Sequence, residues 1–346
     1  MADIGLKEEI KVSNFFSELG YFTRFHIQLY PRDGKISDID VFCIKFDNHL
    51  FITRNIIETK RSTHSVSTIF QLFGLSKFYK NCNAFFVNDK INYKNFKIAK
   101  ELGINVYSFE RLKKLSEKDK RYKSINIPEE KGLEIVSYID IIKKNNSNLF
   151  WSYHEIWLEK DPFKRLNLIK ENFEITDDIW EDNEKNQAFL WLRKELFLLF
   201  FISILEITSE CIELDNIRIR QYIEDKFYNL GTSKDRKMLL KEGVESLLEI
   251  INEKLGEDVD FEFDVIPEWI PNLESIIKKI INQAPFANEY LLLNENVFRS
   301  FLIGEPDHVS NFITNKKKYK IISGINASIL SLLHKEEVKE DFNDFI

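Results

Sequence analysis

Two runs rich in apolar residues flank the turn-forming tripeptide Asp47-Asn48-His49, and they restrict the fold more than any other feature of the chain. The first extends from about Ile36 to Phe46 and the second from about Leu50 to Arg61, which predicts a β-hairpin. Side chains two apart on a strand share a face, so Asp38 goes with Asp40 and Glu58 with Lys60. Folding about His49 sets Phe46 opposite Ile52 and Asp40 opposite Glu58. Cross-strand neighbours lie roughly 5 Å apart, close enough for two carboxylates to hold one small divalent ion. A two-residue turn would slip this register by one, so the reading requires an odd-numbered loop or a bulge. Two acids and a lysine at one spot are costly for a sheet, and chemistry is a better reason for them than packing.

The surrounding pattern predicts an α/β domain with a mixed sheet over residues 1–115. Residues 4–20 read as a helix with Ile10, Phe15, Phe16 and Leu19 near one face, stopped by Gly20 as a left-handed C-cap. Residues 21–30 alternate loosely, as a first strand, and 31–34 have the composition of a turn. Helix 66–80, strand 84–87, helix 93–102 and strand 104–108 follow. Residues 116–131 are charged and read as a linker, and residues 132–346 read as a mostly α-helical domain. Helices are expected at 133–144, 187–207, 215–229, 235–254 and 272–283, with an exposed strand at 257–265. The most apolar run, Leu196 to Leu205, is too short to span a bilayer, which takes about 20 residues, and reads as a buried helix.

The chain has 346 residues, 44% of them hydrophobic, which is ample for a core. Its three cysteines, Cys43, Cys82 and Cys211, lack C-x-x-C spacing, which argues for a reducing compartment and against a zinc site. A soluble, cytoplasmic protein without membrane contact is expected. The net charge of −7 conceals an asymmetry: residues 1–130 carry +6 and the remainder −13. A polyanion suits the first part and is repelled by the second.

Four elements in order give the first 112 or so residues a resemblance to a known family. Glu9 lies on the first helix, Asp40 sits in SDIDV, Glu58-Thr59-Lys60 forms an E-x-K element, and Gln71 lies in QLFG on the next helix. This set resembles the PD-(D/E)XK nuclease superfamily, the restriction-endonuclease-like fold, and is nearest its Mrr-type restriction enzymes and Holliday-junction resolvases. The stretch KIAKELGINVYSFERL is similar to that branch's final helix and strand. Ile39 stands where the family's eponymous proline would be.

The resemblance implies a Mg²⁺-dependent DNA endonuclease, with Mn²⁺ as a substitute ion and 5′-phosphate and 3′-hydroxyl products. Asp40 and Glu58 would hold the ion, with the Thr59 carbonyl as a third ligand. Lys60 would orient or deprotonate the attacking water and stabilise transition-state charge. Burial and a bound ion favour its neutral form, whereas the two acids favour the ammonium. Glu9 would bind a second ion or a metal-bound water, and Gln71 would hold a phosphate oxygen or fix the lysine. Arg54, Arg61, His64, Lys77 and Lys80 flank the site as contacts to a DNA or RNA backbone. Cutting both strands of a duplex favours a homodimer. Defence against foreign DNA fits the architecture by analogy. The alternative is a nuclease-fold subunit that binds nucleic acid, or docks a helicase or ATPase through its acidic C-terminal half, without cutting.

Overall fold

A computed structural model describes residues 2–30, 35–61, 66–79, 81–118, 122–182, 187–228, 267, 269–305 and 316–333. The expected turn at 31–34, His64, Lys80, the helix at 235–254 and the strand at 257–265 lie outside these residues.

The N-terminal layer is a five-stranded mixed sheet in chain order: β1 (Phe22–Leu29), β2 (Ser37–Phe46), β3 (Ile52–Thr59), β4 (Cys82–Val87) and β5 (Asn105–Tyr107). Strands β1 to β3 are antiparallel, and β3 to β5 run parallel. The parallel pairs need crossovers, supplied by helices α2 (Val66–Phe78) and α3 (Tyr93–Glu101). The hairpin register is the one the sequence predicts, with Phe46 opposite Ile52 and Val41 opposite Ile57. Its loop is the odd-numbered span 47–51, tied by the Asp47 carboxylate, which accepts from His49 N at 2.8 Å and Phe51 N at 2.9 Å. Leu50 takes a left-handed φ of 64° in this loop and is fully buried.

Helices α1 (Ala2–Glu18) and α4 (Phe109–Lys118) cover one face of the sheet, with Val12, Phe16 and Leu112 against Val41, Cys43, Ile57 and Val87. Helix α4 runs into the expected linker at 116–131 and buries Leu112 and Ser116. Gly20 ends α1 with φ 84°, where the Tyr122 ring approaches too closely for a Cβ.

The opposite face carries Phe22, Phe42, Ile44, Phe46, Ile56 and Phe86 into a larger core shared with the helical part of the chain. That part comprises α5 (Glu129–Asn145), α6 (Ser147–Leu158), α7 (Pro162–Asp182), α8 (Gln187–Cys211), α9 (Asn216–Tyr228), α10 (Ile270–Ile281), α11 (Ala287–Ile303) and α12 (Lys316–Leu333). Helix α8 is buried around its whole circumference from Leu196 to Leu205, as its run of apolar residues, interrupted only by Ser203, predicts. The expected boundary between sheet and helices therefore does not separate two cores, since one buried cluster extends from Phe22 to Leu333. Nor is the expected linker a solvated tether. Ile125 and Ile127 are buried, Asn14 on α1 bonds both backbone groups of Ile127, and Asn296 accepts from Ile125 N. Gly132 brings α5 so close to α1 that a Cβ there would overlap Ile10.

The shared core contains His154, 1% exposed and surrounded by the rings of Tyr30, Phe150 and Tyr153. Burial pushes its pKa down to about 4. The folded state then keeps the imidazole neutral while the unfolded chain takes up a proton below about pH 6.5. Stability is complete above pH 6.5 and falls as the pH drops toward 4, by about 3 kcal/mol from this group. His154→Phe is expected to flatten that part of the profile in denaturant melts at pH 7, 5.5 and 4. An unchanged slope would place the acid sensitivity elsewhere.

Candidate active site

The site forms where β2 and β3 meet, one step beyond their last bridged pair, Val41 and Ile57. Asp40 is buried and its Oδ2 accepts from Thr59 N at 2.7 Å and Thr59 Oγ1 at 3.2 Å. Lys60 Nζ lies 3.4 Å from the same oxygen and 2.7 Å from Glu58 Oε1. The Lys60 backbone is fixed beyond the end of β3, its N–H donating to Val87 O and its carbonyl accepting from Asn88 Nδ2. Asp40, Glu58 and Lys60 thus converge as the hairpin register requires. Asp38 lies on the exposed side, paired with Lys35 at 3.3 Å.

A break in strand alternation accompanies this convergence. Phe22 reaches the large core from β1, and so do Ile27 and Leu29, which have the opposite parity. On β2 the same slip separates Ile39 from Phe42, Ile44 and Phe46. The slip on β1 spans His26, whose φ is 56°, and the bridged pairs on either side make Asp40 its opposite number. His26 Nδ1 lies 3.2 Å from Glu9 Oε2, and Gln28 Nε2 lies 3.1 Å from His26 Nε2. Sequence reasoning missed His26; the loose alternation of residues 21–30 was its trace.

Charge is concentrated here. Burial, then the neighbouring Asp40 carboxylate, pushes Glu58 up to about 8 against the pull of Lys60. Burial also raises Glu9, which the His26 hydrogen bond opposes and Asp40 reinforces. Burial disfavours the Lys60 ammonium, yet Asp40 and Glu58 outweigh it and hold its pKa above that of an ordinary lysine. The balance that the sequence left open falls, in this arrangement, to the charged form.

The other expected site residues are dispersed. Glu8, next to Glu9, pairs with Arg61 and lies 3.8 Å from Lys11. Arg61 is exposed and borders an open cleft of about 540 Å³ whose lining mixes Lys11, Lys90 and Lys113 with Glu8, Asp89 and Glu110. Arg54, expected to face a nucleic-acid backbone, instead lies largely buried, 2.9 Å from Glu206 of α8, where its strand faces the helical layer. Lys77 is exposed and stands over the Phe73 ring. Gln71 lies on the exposed face of α2, and no hydrogen bond among the described residues joins it to Asp40, Glu58 or Lys60.

Among the described residues, no group of three or more His, Cys, Asp or Glu side chains is placed to hold a metal ion. A closed cage of the zinc kind is thus not formed by them. Mg²⁺ makes a smaller demand, taking one or two carboxylates and keeping several waters. The buried Asp40 carboxylate and the partly buried Glu58 carboxylate fit it in kind; burial is the main cause of the raised Glu58 pKa, and a cation would relieve the smaller part due to Asp40. No helix among the described residues is long and apolar enough to cross a membrane. Comparison with family models, curated proteins and solved structures finds no match to the chain.

Proposed function

We propose that the chain is a Mg²⁺-dependent DNA endonuclease on a restriction-endonuclease-like fold. The observation that carries this reading is the convergence of Asp40, Glu58 and Lys60 on one spot between adjacent strands. The mixed sheet with α1 on one face is compatible with that fold. Asp40 and Glu58 would hold the ion, which would supply charge neutralisation at the phosphate and a more acidic water. The Lys60 ammonium, half-buried between the two acids, would hold the attacking water and face the charge that develops on the phosphorane. Thr59 fixes the Asp40 carboxylate through its N–H and hydroxyl, so the site is preorganised. The cleft beside Arg61 holds Lys11, Lys90 and Lys113 together with Glu8, Asp89 and Glu110, so its cations would reach flanking phosphates only in competition with these acids.

Incubating the purified protein with supercoiled plasmid and Mg²⁺ tests the reading. The parent is expected to nick and Lys60→Ala to nick about 10²–10³-fold more slowly. Equal rates would reject the assignment. A second reading, a nucleic-acid-binding module that does not cut, is favoured by one feature: Lys60 already spans both carboxylates. Tight DNA binding without nicking in either Mg²⁺ or Mn²⁺ would select it.

A further inference from the structure

Among the described residues three non-glycine positions have positive φ: Leu50 in the β2–β3 loop, Asn81 just before β4, and His26 in the middle of β1. Only the last interrupts a strand, and it does so opposite Asp40. Loop ends accommodate a left-handed residue easily, whereas a strand gives up regular pairing for it. The polar contacts of His26 fix a direction. The Gln28 side-chain amide can only donate through Nε2, so His26 Nε2 accepts from it. Nδ1 then carries the hydrogen and donates to the Glu9 carboxylate. Glu9 is buried on α1, where burial and the His26 bond act on it most strongly and the Asp40 and Lys60 charges act more weakly.

We propose that His26 is a positioning residue of this site, and that the donor chain Gln28 to His26 to Glu9 fixes the Glu9 carboxylate beside Asp40 and Lys60. The inference rests on the endonuclease reading and adds a residue that the family resemblance does not supply. The left-handed turn in β1 is the backbone conformation that directs the imidazole toward α1 instead of along the regular strand pattern.

Three variants test it. His26→Gly keeps the backbone conformation, since glycine adopts positive φ freely, and removes the ring. It is expected to lower the kcat for plasmid nicking about 10–100-fold with KM unchanged. His26→Asn tolerates the same φ and offers an amide N–H to Glu9, so it is expected to recover most of the parental kcat. Ser13→Ala removes the 2.9 Å hydrogen bond from α1 to Thr23, loosening the same helix–strand contact without touching Glu9, and is expected to cut like the parent. In ¹⁵N NMR of the metal-free protein, the His26 ring is expected to show a protonated Nδ1 and a bare Nε2, with Nδ1 moving in Glu9→Gln. Parental kcat in His26→Gly, an equal loss in Ser13→Ala, or a ring indifferent to Glu9→Gln would each overturn the positioning role and leave the endonuclease reading in place. A parent that never cuts DNA overturns both.

Discussion

Asp40→Asn is expected to reduce plasmid nicking by about 10³-fold while leaving the melting temperature close to that of the parent. The asparagine keeps the shape of the side chain and an oxygen for Thr59 N, the shortest of the contacts to Oδ2 at 2.7 Å. It removes the charge that Lys60 approaches and that a divalent cation would require. Asp40→Ala goes further, because Thr59 N, Thr59 Oγ1 and Lys60 Nζ all lose the oxygen they share. Buried donors left without an acceptor cost about 1–3 kcal/mol, so the alanine variant is expected to melt lower as well. Single-turnover nicking and thermal melts on the two variants separate the effects. Parental nicking by Asp40→Asn would remove the carboxylate from the chemistry.

The largest loss of stability is expected from Arg299→Met. This guanidinium on α11 is completely buried and joins four parts of the chain. It donates to Glu295 at 2.8 Å, to Asn14 of α1 at 3.3 Å, to the Ile125 carbonyl at 2.9 Å and to Thr23 of β1 at 2.6 Å. Glu295 also receives Arg24 at 2.7 Å, and Arg24 bonds Glu195 of α8. Methionine fills much of the volume but leaves Glu295 with less compensating charge and takes one donor each from Asn14, the Ile125 carbonyl and Thr23. Removing one partner from a buried ionic network costs about 3–5 kcal/mol. Urea denaturation followed by near-ultraviolet circular dichroism reads that loss. A change within about 0.5 kcal/mol, as for an ordinary surface substitution, would mean that packing rather than this network ties α11 to the sheet.

The hairpin was legible in the sequence because its geometry is arithmetic: strand side chains alternate, and an odd loop fixes the register. That sufficed to bring Asp40, Glu58 and Lys60 together. The path of β1 was not legible. Phe22, Phe25, Ile27 and Leu29 are unevenly spaced, and only the fold shows that the irregularity is a left-handed His26. The helical half was read where a long apolar run dominates, as at Leu196 to Leu205 in α8, but α6, α7 and α12 were not read, and neither was α11. That helix buries Asn288, Asn294, Glu295, Asn296, Arg299 and Ser300, so an apolar stripe is hard to see in it. The same chemistry concealed residues 122–128, whose charged neighbours suggested a tether while Ile125 and Ile127 pointed inward. In each case the unread segment is held by polar groups that find partners more than 100 residues away.

The ties from Thr23 and Arg24 to α11 span more than 270 residues of sequence. During synthesis a ribosome releases β1 long before the helix that holds its back in place. The two acids and the lysine of the hairpin can meet early, but the layer beneath them stays uncovered until α11 has emerged. Any chemistry at that hairpin is therefore a property of the finished molecule, and a chain truncated before α11 would lack the support on which its first strands rest.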